Sequence, residues 1–433
     1  MIKLYFKQAW ELIKQNKLFS SIYVVGTGLA IATTMIMAIV YYVKIAPVYP
    51  ETNRAHTSYL STVRFTHEGS SNQWAFSHLA VQEWFYRLKN VQEVSASSRD
   101  GDGSYVQPFD KSGDFQVITK MTDPAFFRIY EFRFIEGKPF TDADMASGTR
   151  SVVITDELAR RVFGTTENLL GKEFTMDYLN YRVVGVVESA SLLTHQSFAQ
   201  VYMPYTCVQG FDQLPSPNLP YYGKFSLTFL TESAEQAKAL RQEVTEIIRK
   251  YNTSQKEWKA DIMNQPTSHV ESEFMQFASE TEFNWGAMIK KYSIIFLVLL
   301  LVPALNLSGM IASRMDARLC EMGIRKSFGA SKNGLLRQVI WENLLLTVLG
   351  GALGLIIAWT LLYICRDWVF LIFERYGGAP EGVNVQVSGD MLVAPLVFLF
   401  AFLVCVALNL LSALVPAWYS LKRPIVKSLN EKR

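Results

Sequence analysis

Four runs of apolar residues dominate this chain, and each is long enough to cross a bilayer as a helix: 19–43, 288–313, 339–365 and 391–419. A spanning helix needs roughly 20 mostly apolar residues, because each backbone N–H and C=O must be paired within the segment where no water reaches it. The first run reads FSSIYVVGTGLAIATTMIMAIVYYV and the last MLVAPLVFLFAFLVCVALNLLSALVPAWY. The third opens on Glu342 and Asn343, which places its first turn at the interface. Mean hydropathy over the 433 residues is only +0.12, so a large polar part must accompany these runs. That part is the stretch 45–287, between the first and second runs.

Lysine and arginine in the flanks orient the spans. Lys3, Lys7, Lys14 and Lys17 precede the first. Arg314, Arg318, Arg325, Lys326, Lys332 and Arg337 separate the second from the third, and Lys422, Arg423, Lys427, Lys432 and Arg433 follow the fourth. The connection 366–390 instead carries Asp367, Glu374, Glu381 and Asp390 beside only Arg366 and Arg375. Both termini and the segment 314–338 are therefore expected in the cytoplasm, with 45–287 outside. The first run is longer than the apolar part of a signal peptide and no small-x-small cleavage site follows it before Lys44, so it reads as an uncleaved anchor. Cys207, Cys320, Cys365 and Cys405 fall in different compartments or spans and suggest no disulfide framework.

The outer stretch reads as a folded α+β domain. FQVITK (115–120), SVVIT (151–155), KEFTMDY (172–178), YRVVGVVES (181–189) and KFSLTFLT (224–231) have strand character, with Leu179-Asn180 closing a hairpin. DELARRVF (156–163) reads as a helix capped by Thr155 or Asp156. SAEQAKALRQEVTEIIRKY (233–251) places Ala237, Leu240, Val244, Ile247 and Ile248 on one helical face. No chemistry stands out. The histidines, His56, His67, His78, His195 and His269, include no pair at metal-site spacing, and there is no GxSxG elbow. Asp142 and Asp144 in PFTDADM read as a solvated turn or helix cap before they read as an acid pair. GxxxxGK[ST] is absent, since Gly137-Lys138 is followed by Pro139 and Gly171-Lys172 by Glu173. No catalytic residue, metal ligand or cofactor is assigned to this chain, and any ATP used must be hydrolysed by another.

Three stretches carry a family signal. They are NKLFSSIYVVGTGLAIA (16–32), FRFIEGKPFTDADMASGTRSVVITDELARRVFGTTENLLGKEFTMDYLNYRVVGVVE (132–188), and RMDARLCEMGIRKSFGASKNGLLRQVIWENLLLTVLGGALGLIIAW (314–359) followed by PAWYSLKRPIVKSL (416–429). Together they resemble MacB-type permeases of the ABC family, whose membrane part is shared with FtsX. Lys138, Leu169-Leu170 and Lys427-Ser428 depart from the usual family residues. The resemblance implies a four-span subunit of the bacterial inner membrane that pairs with a second permease copy, as homo- or heterodimer, and binds a separate cytoplasmic ABC ATPase holding ATP and Mg. Movement driven by that ATPase would pass to the periplasmic domain, for export of a peptide, drug, lipid or lipoprotein toward an adaptor and outer-membrane channel. By the same resemblance, 50–115 with 205–285 would form a porter-like lobe and 116–204 an inserted one. The alternative function is a regulator of the FtsX kind, which couples the ATPase to a cell-wall hydrolase or sensor.

Individual residues sharpen this reading. MIKLYFKQAWELIKQNK is amphipathic and reads either as an elbow helix along the membrane or as an extension of the first span. Pro303 marks a kink in the second span, or a hinge. Gly350 and Gly354 have the GxxxG spacing that lets two backbones approach, within the subunit or across a dimer. In EMGIRKSFGAS, Glu321 and Arg325 are one helical turn apart, Gly329 suits a helix C-terminus and Ser331 an N-cap. Positive-inside bias explains Arg325 and Lys326, but not Met322, Ile324 and Phe328, which have no lipid to bury in. Glu321, Met322, Ile324, Arg325, Lys326, Phe328 and Gly329 are accordingly expected to form the ATPase-coupling surface.

Overall fold

A computed structural model describes residues 10–11, 14–15, 17–99, 103–108, 113–214, 218–255, 257–275, 283–317, 324–325, 327–365, 368–369 and 395–422. These form two compact units: a helical one from residues up to Tyr42, Trp285–Val369 and 395–422, and an α/β one over Val43–Asn284.

The helical unit is built from Lys17–Ile45, Trp285–Ala317, Lys332–Ile364 and Pro395–Lys422. Among the described residues, three stretches are long and apolar enough to cross a membrane: Lys17–Ile45, Lys332–Ile364 and Pro395–Ser412. Trp285–Ala317 covers the second run of the sequence and stays helical through Pro303. The polarity of Lys332–Ile364 is inverted relative to a water-soluble helix. Gln338, Glu342, Asn343 and Thr347 are buried, whereas Ile356, Trp359, Tyr363 and Ile364 face outward. Such a helix is stable only where the surroundings are apolar and the neighbouring helices supply the polar contacts. In the N-terminal stretch Trp10, Glu11, Lys14, Gln15 and Lys17 are helical, and the rest of it lies outside the described residues.

The strands of the α/β unit are β1 (Thr57–Leu60), β2 (Val63–His67), β3 (Ser70–Phe76), β4 (Glu93–Arg99), β5 (Ser104–Gln107), β6 (Phe115–Val117), β7 (Thr119–Thr122), β8 (Phe134–Gly137), β9 (Ser151–Thr155), β10 (Glu173–Met176), β11 (Leu179–Val187), β12 (Val201–Pro204), β13 (Tyr222–Gly223), β14 (Ser226–Leu230), β15 (Lys259–Asp261) and β16 (Thr267–Ser268). One sheet runs β16-β1-β14-β4-β7-β12-β9-β11-β10-β5-β6, with β8 also on β11, and a small sheet runs β13-β3-β2-β15. The pairs β9–β11 and β7–β12 are parallel and the others antiparallel.

Two apolar clusters cover this sheet. One gathers Leu60, Phe65, Phe76, Trp84 and Phe229 with Leu240, Val244 and Ile248 of the helix Ala234–Ser254. The other gathers Val106, Val117, Ile154, Phe174 and Val183 under Leu158 and Val162 of the helix Asp156–Phe163. Val106 and Val117 of neighbouring strands pack together in this second cluster.

Four local expectations resolve or change. Thr155, not Asp156, caps the short helix, accepting from the Leu158 N–H at 3.3 Å. FQVITK splits at Ile118 into β6 and β7, because Gln200 occupies the Ile118 backbone with its side chain at 3.2 Å and its own N–H at 2.8 Å. The hairpin turn is Asp177-Tyr178, and Leu179 and Asn180 already belong to β11, with Leu179 opposite Met176. Both turn residues adopt positive φ, +47° and +64°, the geometry of a two-residue turn that follows strand twist. Asp177 is held there by accepting from the Tyr105 N–H at 2.8 Å. The Asp142/Asp144 pair is a cap: Thr141 and Asp144 form a capping box on the helix Asp142–Ser147.

Candidate coupling sites

Three places combine unusual residues with defined geometry. The first is the corner between helices at 324–338. The Ala330 N–H donates to the Arg325 carbonyl at 3.0 Å, and Gly329 sits at φ +91°, which closes the preceding helix with a left-handed residue that tolerates no side chain without strain. Two residues later Ser331 Oγ accepts from the Gly334 N–H at 3.1 Å and opens Lys332–Ile364. Leu335 and Val339 are buried, and Arg325 Nη1 donates to the buried Gln338 Oε1 at 2.8 Å, fixing the corner to the helix. On this fixed frame Phe328 is 88% exposed and Ile324 46%. Glu321, Met322 and Lys326 lie outside the described residues.

The second place is a backbone contact. A Cβ on Gly354 would meet Gly28 O at 2.6 Å, and one on Gly350 would meet Thr27 Cβ at 2.8 Å and Val24 O at 3.1 Å. The GxxxG pair therefore packs against the first helix of the same chain. Gly351 faces the other way, where a Cβ would lie 2.2 Å from the Phe402 ring.

The third place escaped the sequence. Where the first long helix ends, Arg54 Nη1 donates to Val43 O at 2.6 Å and Ala46 O at 2.7 Å. Arg54 Nε donates to Glu51 Oε2 at 2.8 Å. The other Glu51 oxygen accepts from Ser197 N at 2.9 Å and Oγ at 2.8 Å. His269 Nε2 donates to Lys44 O at 2.9 Å, which leaves Nδ1 to accept from the Tyr59 hydroxyl at 3.2 Å. Glu51, Arg54, Tyr59, Ser197 and His269 are each no more than 3% exposed. Burial alone would raise the Glu51 carboxyl, but Arg54 and the Ser197 bonds outweigh it and hold it below the ordinary value. Burial, reinforced by Arg54, pushes His269 down from 6.5 to about 4.

These shifts have a sign. The unfolded chain protonates His269 as pH falls through 6.5, while the folded chain resists until about 4, so stability is lost across that window. Glu51 adds to the loss below its ordinary 4.5. Asp123 opposes both, because burial raises its carboxyl despite bonds from Tyr86 Oη, Ser95 Oγ, Ala96 N and Phe126 N. The His269 contribution is on the order of 3 kcal/mol. Unfolding of the detergent-solubilised chain at pH 7.5 and 4.5 should show the drop, and His269→Gln should shrink it.

The remaining described residues offer no competing chemistry. His67 lies against Trp258, and His78 against Tyr205 and Phe211. Among the described residues no three His, Cys, Asp or Glu side chains converge as metal ligands.

Three described helices are long and apolar enough to cross a membrane, and the α/β unit follows the first of them in the chain. The chain belongs to the family of MacB-like periplasmic core domains, matched over residues 23–247, and residues 293–425 match the FtsX-like permease C-terminal domain. It is thus an ABC transporter permease of the MacB/FtsX type. It is 22% identical over 268 residues to the ABC transporter permease YknZ of Bacillus subtilis strain 168, covering 62% of each chain. It is 23% identical over 351 residues to the macrolide export ATP-binding/permease protein MacB 1 of Yersinia pestis bv. Antiqua, covering 80% of this chain and 50% of that protein. The extracellular domain of a YknZ transporter from Gram-positive bacteria aligns at TM-score 0.34 and 19% identity, over 46% of this chain and 99% of that one. The chain spans between a third and about three-fifths of the length of these and other curated relatives.

Proposed function

We propose that this chain is the permease subunit of an exporter in which a separate cytoplasmic ATPase drives two permease copies. ATP-driven closure of that dimer is passed through four spans to the α/β domain, which acts on a periplasmic substrate. In this reading Trp285–Ala317 is the second span, both termini and the corner 324–338 are cytoplasmic, and the α/β unit is periplasmic. The observation that carries it is Phe328, an aromatic ring almost wholly exposed on a corner fixed by Gly329, Ser331 and the Arg325–Gln338 bond. An exposed ring on a rigid turn is what a partner surface uses as an anchor. Apolar anchors of this kind typically contribute about 2 kcal/mol or more to an interface. A substrate among peptides, drugs, lipids or lipoproteins is part of this proposal and rests on the family resemblance.

Copurification from native membranes should return an ABC ATPase. Phe328→Asp, at a ring 88% exposed, should cut stimulation of that ATPase by about tenfold or more while leaving insertion intact. Full stimulation by the Phe328→Asp chain in liposomes would sink the proposal.

A further inference from the structure

The helix Lys17–Ile45 continues past Tyr42, and its last turn belongs to the α/β unit. The terminal carbonyls of a helix have no partner within it and are usually left to water. Here they are taken up by buried side chains: Arg54 on Val43 O and Ala46 O, His269 on Lys44 O. Those side chains are anchored in turn. Glu51 neutralises Arg54 and holds Ser197, and Tyr59 holds His269.

We propose that Glu51, Arg54 and His269 are positioning residues that clamp the last turn of the first helix into the α/β unit, so that displacement of the helix is delivered there without slack. The inference rests on the permease reading above and assigns the place where movement enters the domain. Two segments bond to this turn directly, through Arg54 and through His269 at the start of the helix His269–Phe274, and a third, 194–198, is tied to it through Glu51. Fraying the turn would break all three carbonyl bonds and leave the buried Arg54 Nη1 without its two carbonyl acceptors, so the turn either holds or fails as a whole. A buried ion pair gains little stability over apolar residues of similar size. What the pair adds over such residues is direction: Arg54 reaches two carbonyls and a carboxylate at once, and the carboxylate reaches the Ser197 loop. Displacing the turn therefore pulls on the loop and on the His269 helix together.

The double variant Glu51→Leu, Arg54→Met removes both charges and so strands neither. In the full chain in lipid nanodiscs it should be destabilised less than Arg54→Ala, since no unpaired charge is buried and only the carbonyl and Ser197 bonds are lost, yet exchange backbone amides over 43–48 and 194–200 about tenfold faster than the parent. With the copurified ATPase, it should keep stimulated hydrolysis and lose the ATP-dependent change in exchange across the α/β unit. A purely structural role would not separate those two readouts. Unchanged amide exchange overturns the clamp, and so does a retained ATP-dependent response. A parent chain that fails to stimulate the ATPase refutes the permease reading instead, and the exchange comparison still decides the clamp.

Discussion

Arg54→Ala should lower the unfolding midpoint of the α/β unit by roughly 10 °C at neutral pH, the largest loss expected from any single truncation outside the apolar cores. The guanidinium is 3% exposed and Glu51 2%, so the variant leaves a carboxylate without its cation in a site that water does not reach. Breaking a buried pair from one side costs about 3–5 kcal/mol for that reason. The two carbonyls of Val43 and Ala46 also lose their donor. The signature that separates this cause from simple cavity formation is its pH dependence. Without Arg54, burial raises the Glu51 carboxyl above its ordinary value, so the folded variant takes up a proton that the folded parent refuses. The gap between variant and parent should therefore narrow as pH falls toward 5. Tryptophan fluorescence during heating in detergent, at a series of pH values, gives the comparison directly. A gap that stays constant with pH would assign the loss to packing.

Gly354→Leu should separate the helices Lys17–Ile45 and Lys332–Ile364 and cost the helical unit about 3 kcal/mol. The reason is that the obstruction is backbone. A Cβ at Gly354 would stand 2.6 Å from the Gly28 carbonyl oxygen and 3.1 Å from Ile31 Cβ, neither of which can rotate away. Gly26 provides the control, since nothing lies within 4 Å of a Cβ built there. Titration with sodium dodecyl sulfate should show the Gly354→Leu chain losing structure well before the parent, and Gly26→Leu following the parent. Equal resistance of all three would remove the contact from any account of the bundle.

Much of this was legible in the sequence, and what was not has identifiable physical causes. Long apolar runs declare themselves, because length and composition alone set whether a helix can cross a bilayer. The corner at Gly329 and Ser331 was legible because caps are local chemistry. The GxxxG spacing announced a close contact but not its partner, since Gly28 is more than 300 positions away from Gly354. The hairpin turn was misplaced because Tyr178 is a poor residue for positive φ, and tertiary bonding from Asp177 overrides that preference. The clamp was invisible. Glu51 and Arg54 stand three residues apart and could be seen as a local pair, but Ser197 and His269 join them only through the folded sheet. His269 looked like one of five unrelated histidines.

The inverted polarity of Lys332–Ile364 has a consequence for how the protein is made. A lone helix presenting Gln338, Glu342, Asn343 and Thr347 to lipid would enter the bilayer at a penalty, on the order of 3 kcal/mol for a single charged residue at mid-membrane. The first helix offers the complementary face, through Gly28 and Tyr23, whose hydroxyl reaches Thr347 at 3.4 Å. Yet about 240 residues of chain separate its synthesis from that of the second apolar run. In the topology proposed above, the nascent first helix waits beside the insertion machinery while an entire domain is threaded across. Biogenesis of the bundle is thus an ordered event in which the oldest helix receives a much younger one.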